Sequence, residues 1–228
     1  MLEIAQHVLF GLRKMGILGC MNDTKSTIQG TPADDSGELD SIQTYVSDML
    51  ALERHIAAPL QRQLEIDETQ NYARAISLTG RLKNLTDAHV QALDARLESL
   101  GGHPSNPVKS AWSGLLGAGA AAVGSVRKTK VSKNLRDDYT ALSLAAVSYS
   151  MLNATALGLG DSETAALAQR GLTDYAGLIM EIGRSIPEVV LQELADDGRQ
   201  VDVSVAGKAE EIVERSWRSQ SGNQPAVN

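Results

Sequence analysis

Between Thr79 and Gly101 the chain reads TGRLKNLTDAHVQALDARLESLG, and Leu82, Leu85, His89, Leu93, Leu97 and Leu100 recur three or four residues apart. This is the apolar stripe of an amphipathic helix, one face of which has to be buried against other helices. One member of the stripe is polar. His89 stands where a leucine would be expected, with Thr86 one turn earlier on nearly the same face. A histidine aimed into a helix bundle is either held by a neighbour's hydrogen bond or serves as a ligand.

The same period recurs in three other stretches. Ile42, Tyr45, Val46, Met49, Leu52, Ile56, Leu60 and Leu64 trace a first helix capped by Asp40 or Ser41, and its inner face also passes through Glu53. Pro59 is expected to kink or break it. After a turn near residues 66–68, the second helix should run from about Thr69 to Leu100, stopped by Gly101-Gly102-His103-Pro104. The third, from Ser132–Asn134 to Leu157, carries Tyr139, Leu142, Ala145, Ala146, Tyr149, Leu152 and Ala156. Gly158-Leu159-Gly160 ends it, and Asp161 caps the fourth, with Glu163 well placed in the first turn. Leu167, Leu172, Tyr175, Leu178, Ile179 and Ile182 form the fourth stripe, with Asp174 among them, and Pro187 should break it before a helical piece from Glu188 to Ala195. Aromatics are only 4% of the chain, and alanine and leucine supply most of its apolar mass. That composition favours helices over strands.

The expected architecture is therefore all-α: a four-helix bundle over residues 40–197 with a long connection between helices 2 and 3. Residues 1–39 read as an N-terminal extension and polar linker, and 198–228 as a polar C-terminal tail with a short surface helix from Lys208 to Trp217.

Other features narrow the function. A net charge of −7 argues against a nucleic-acid surface, which neutralises phosphates with clustered Lys and Arg. The basic run Arg127, Lys128, Lys130, Lys133 and Arg136 has no interleaved aromatics to stack on bases, and reads as a solvated connector. Gly117, Gly119 and Gly124 are not followed by the Lys-Ser/Thr pair of a phosphate loop. Small residues in SGLLGAGAAAVGS instead suit a segment lying close against its neighbours. Ile17-Leu18-Gly19-Cys20 imitates a lipoprotein cleavage box, but Glu3 stands at the start and Arg13-Lys14 interrupt the apolar run. A short amphipathic helix is the better reading. The single cysteine suits a reducing compartment, and no stretch approaches the roughly 20 apolar residues needed to cross a bilayer. The expectation is a cytoplasmic protein without membrane or nucleic-acid partners, self-associating, with the terminal extensions as a second place for a protein partner.

Glu53, His89 and Asp174 fall on the inward faces of three different helices. Di-iron bundles direct carboxylates and histidines inward in this way, and carboxylate with imidazole suits iron or manganese. The order ALERHI, LTDAHVQALDARLESLGG, a Gly/Ala-rich connector, YTALSLAAVSYSMLNATALGLGD and LAQRGLTDYAGLI resembles the YciF-like ferritin-like proteins, bacterial stress-response bundles of the ferritin-like superfamily. The resemblance covers roughly residues 40–196. It implies a ferritin-like bundle with Glu53 as the inward acid of the first helix and His89 near the second-helix site. It also exposes departures. Leu85 or Thr86 stands where an acid would precede His89, Ala145 and Ala146 precede Tyr149, and Gly177 or Leu178 replaces a second ligand after Asp174.

Three readings follow. The first is a stress-related bundle with a degenerate metal site of Glu53, His89 and Asp174 that does no catalysis. The second is a bundle that binds iron or manganese, and the third is a scaffold without metal. Under the first, His89→Leu should be nearly neutral or stabilising. Without metal, Glu53 has an alternative partner in Arg81, His89 has Asp174, Ser143 or a tyrosine hydroxyl, and Asp174 can lie at the bundle's edge in water; a Glu53-His89-Asp174 cluster that satisfies itself is equally sound.

Overall fold

The computed structural model describes residues 35–66, 71–102 and 130–221. The expected N-terminal amphipathic helix, most of the linker, the connector at 103–129 and residues 222–228 lie outside them. Among the described residues every element is helical: α1 (Asp35–Leu64), α2 (Ala73–Ser99), α3 (Val131–Gly158), α4 (Ser162–Asp196) and α5 (Ala206–Ser221), the last preceded by a 3₁₀ turn at Val203–Val205.

Helix ends follow local chemistry. Leu100, Gly101 and Gly102 close α2: Gly101 takes φ 81°, its N–H donates to Glu98 O at 2.9 Å, and the Gly102 N–H donates to Leu97 O at 2.9 Å. A side chain at Gly101 would be strained in that left-handed geometry. Asp161 caps α4 by accepting from the Thr164 N–H at 2.9 Å.

Several boundaries differ from the pattern. α1 begins at Asp35, inside the expected linker, because nothing in SGELD breaks a helix and its acids stand at the N-terminal end of the helix dipole. α2 begins at Ala73 instead of Thr69, after an extended Tyr72 (φ −113°). Neither proline ends a helix: α1 continues through Pro59, and α4 is one helix through Pro187. In each case the stripe is buried on both sides of the proline, by Ile56 and Leu60 in α1 and by Ile182 and Val189 in α4. Each fully buried aliphatic side chain contributes about 1.5–3 kcal/mol, which together exceeds the roughly 3 kcal/mol that an interior proline costs. The tail beyond 198 is also more than a polar extension, for α5 is longer than the expected 208–217 helix. It is tied back by Arg184 Nε to Glu214 Oε1 at 2.8 Å and Arg74 Nη2 to Glu210 Oε1 at 3.1 Å.

Contacts between helix ends define the directions. Gln43 near the start of α1 donates to Leu100 O at the end of α2, while Gln63 in the last turn of α1 donates to Asp138 Oδ1 of α3 at 2.9 Å. Arg96 near the end of α2 meets Asp161 at the start of α4, and Tyr72 donates to Asp196 at the far end of α4. α1 thus runs antiparallel to α2 and α3, α4 does likewise, and the chain leaves α2 at one end of the assembly and enters α3 at the other. α1 packs on α2 and α3, and α4 packs on the same two helices. Leu82, Leu93, Leu142, Leu152 and Ile182 lie in the shared core, each no more than 1% exposed.

A histidine between two carboxylates at the centre of the helices

The core has a polar centre. Glu53 of α1 is 0% exposed and is surrounded by groups from the other three helices. His89 Nδ1 of α2 lies 3.1 Å from Glu53 Oε1. Tyr149 of α3 donates its hydroxyl to the same oxygen at 2.7 Å, and Tyr175 of α4 donates to Glu53 Oε2. On the opposite edge of the imidazole, Nε2 lies 3.2 Å from Asp174 Oδ2. Thr86 has one hydroxyl proton and two acceptors in reach, Leu82 O at 2.9 Å and the Tyr175 oxygen at 3.2 Å. The His89 ring meets both phenols edge-on, with centroids 5.6 Å from Tyr149 and 4.9 Å from Tyr175, an arrangement aromatic rings favour.

The sequence places each member for an identifiable reason. Glu53 sits between Leu52 and Ile56, so the helix period turns it inward with them. Thr86, His89 and Leu93 share the buried line of α2. Tyr149 and Tyr175 reach the same point from α3 and α4 because Gly171 leaves space for the Tyr149 ring. Asp174 precedes Tyr175 and so points to the rim, its side chain 43% exposed. One end of the network is dry and the other is wet.

Proton counting defines its state. A neutral imidazole has one N–H, so it can donate to only one of two carboxylates. Donating to both Glu53 and Asp174 requires the imidazolium. Desolvation is the largest influence on His89 and works against the charged ring. The hydrogen bond and charge of Glu53, followed by those of Asp174, outweigh it, and the pKa is raised above the ordinary histidine range. Burial, reinforced by the charge of Glu53 and the bond to it, pushes both tyrosines far up, so they remain hydroxyl donors.

The structure brings Glu53, His89 and Asp174 together, but around one ring instead of one point. The two carboxylates address opposite nitrogens of the imidazole, so an ion bound to either nitrogen has only one of them beside it. Among the described residues no group of three or more His, Cys, Asp or Glu side chains is disposed to hold a metal ion. Positions where further ligands would stand are apolar or already engaged: Ala145 is fully buried, Leu178 nearly so, and Thr86 bonds Tyr175. As they stand, these side chains do not fit a dinuclear centre.

The pattern named the histidine and the two acids but counted Tyr149 and Tyr175 as apolar stripe members. The available signal was the hydroxyl itself, since a tyrosine deep in an Ala/Leu stripe needs a partner for it. Arg81 pairs with Glu181 instead of Glu53, and Ser143 bonds its own helix at Tyr139 O. Two further buried polar pairs lie near the other end of the helices. Gln63 meets Asp138, whose second oxygen has no hydrogen-bond partner among the described residues. Glu193 accepts from the Ser132 N–H at 2.9 Å and hydroxyl at 2.6 Å, tying α4 to the first turn of α3. Comparison of the chain with protein-family models and with curated proteins gives no match.

Proposed function

We propose that this chain is a ferritin-like four-helix bundle of the YciF-like, stress-related kind, with a long connection between α2 and α3 and a central site that does no metal catalysis. The antiparallel relation of α1 to both α2 and α3 supports the bundle topology. The observation that carries the site reading is that His89 lies between Glu53 and Asp174, one carboxylate at each nitrogen. The imidazolium neutralises a buried carboxylate, which is the electrostatic task an inward cation would otherwise perform. Glu53 meanwhile has both oxygens engaged by phenols. The ligand remnants satisfy one another, so the site is a structural core element that joins four helices.

Elemental analysis of protein purified without added metal or chelator tests this. The expected result is iron and manganese well below one ion per chain. Two irons per chain, lost in His89→Leu, would overturn it. A second reading, a bundle binding a single iron or manganese ion, is favoured by the exposure of Asp174, which opens the Nε2 edge of His89 to solvent. It predicts near-stoichiometric metal that falls away in Asp174→Asn.

A further inference from the structure

Helix α5 lies outside the core. No side chain from Val203 to Arg218 is buried, whereas α2, α3 and α4 each bury a line of side chains. Ile212 and Trp217 stay half-exposed. The inner face of α5 instead carries two glutamates one turn apart, each set against an arginine of the bundle. Glu210 Oε1 lies 3.1 Å from Arg74 Nη2 of α2, and Glu214 Oε1 lies 2.8 Å from Arg184 Nε of α4. All four side chains are 27–36% exposed. Between these pairs Val213 comes down over Gly183, where an added Cβ would lie 4.0 Å from Val213 Cγ1 and 3.9 Å from the Tyr139 ring of α3.

We propose that the face formed by Arg74, Gly183 and Arg184 is a seat for a helix bearing two carboxylates one turn apart, and that α5 is its resident, releasable occupant. Glutamates four residues apart repel each other and weaken a helix standing alone. Here the two guanidinium groups offset that repulsion. Ion pairs this exposed contribute little and are screened by salt. A helix without a buried stripe has little else to hold it in place. Undocking strands no charge. Arg74 keeps Glu188 at 3.0 Å, Glu214 keeps Arg218 at 3.1 Å, and the Glu211–Arg215 pair at 2.7 Å still supports the helix. The seat itself favours release: the buried Arg184 Nε has no hydrogen-bond acceptor among the described residues, although Glu214 is near. An unsatisfied buried donor is costly. Release wets that N–H and opens the arginine face to another helix with the same spacing of carboxylates.

Hydrogen–deuterium exchange of the full chain, read peptide by peptide at about 20 mM and about 500 mM NaCl, tests the strap. Amides of residues 206–221 should exchange about fivefold faster at the higher salt, through screening of two exposed ion pairs, while those of α4 keep their rate. In the Glu210→Gln, Glu214→Gln double variant, α5 should exchange fast at both salts with the helical circular dichroism of the bundle retained. The salt series on the parent decides the matter if that variant does not fold. Salt-independent exchange of α5 in the parent would overturn the proposal. So would α5 and α4 opening at one rate, which would make α5 part of the core's cooperative unit. The seat is tested by a fluorescein-labelled peptide of residues 203–221, read by anisotropy. It should bind the double variant more tightly than the parent, whose seat is taken, and equal or absent binding would overturn the seat.

Discussion

Gly171 of α4 faces the ring of Tyr149 on α3 so closely that a Cβ on Gly171 would lie 2.6 Å from ring carbons Cε1 and Cε2. The missing side chain is what lets Tyr149 reach Glu53. Gly171→Ala should therefore expel the ring and break its 2.7 Å bond to Glu53. The expected loss is about 1–3 kcal/mol by urea denaturation, although alanine is the better helix former. In a Tyr149→Leu background the same change should cost much less, because no rigid ring opposes the methyl group. Equal costs in both backgrounds would refute the steric account.

The expectation that His89→Leu is nearly neutral or stabilising does not survive the geometry. Leucine would fit the stripe, but it would leave Glu53, 0% exposed, without its cationic partner. A loss of about 3 kcal/mol is expected. Its pH dependence has a definite sign. Because the folded-state pKa of His89 is raised, its contribution is full below the unfolded value and is lost as pH rises through the folded one. Melting curves should show a larger gap between parent and variant near pH 6 than near pH 9.

Asp138 works in the opposite direction. Burial pushes its carboxyl up to about 7; the Gln63 bond pulls the other way and the neighbouring Asp137 adds to the rise. The folded chain therefore holds this proton more tightly than the unfolded one, and stability falls as pH climbs from the ordinary aspartate range through about 7. Asp138→Asn should be close to neutral only near pH 3, where the carboxyl is protonated in both states, and its advantage should grow as pH climbs from there. Above neutrality it should stabilise by on the order of 2–4 kcal/mol, from about three units at 1.36 kcal/mol each. Equal melting temperatures for parent and variant near pH 8 would show that the buried carboxylate costs nothing.

Arg96 closes the other end of the assembly. Its guanidinium, 11% exposed, reaches Asp161 at 2.6 Å, Thr164 at 2.7 Å and Glu163 at 2.6 Å. Arg96→Ala should cost about 1–3 kcal/mol, and Arg96→Lys should recover less than half, since an ammonium cannot match the planar fork. Full recovery by lysine in urea denaturation would mean that only the charge matters.

Much of this was legible from spacing. The four apolar stripes, the Asp161 cap and the glycine stops at Gly101 and Gly160 are local, set by residues within a turn or two, and the structure has them where the pattern put them. The inward turn of Glu53 and His89 was legible for the same reason. Pro59 and Pro187 were not. Their local preference opposes a helix, and burial on both sides overrides it with energy that comes from other helices.

Periodicity gives the angle of a side chain about its own helix axis, and by that rule alone the chain determined its helices, their buried faces and the polar residues among them. It carries no information about how far one helix slides or turns against another. Those shifts decide which atoms meet. They set His89 between two carboxylates instead of beside them, brought the Tyr149 and Tyr175 hydroxyls onto Glu53, and left one oxygen of Asp138 without a hydrogen-bond partner among the described residues. Hydrogen bonding and metal coordination both depend on displacements of well under a turn of helix. The difference between a cluster of ligands and a network satisfied by its own protons therefore arises only when the helices pack.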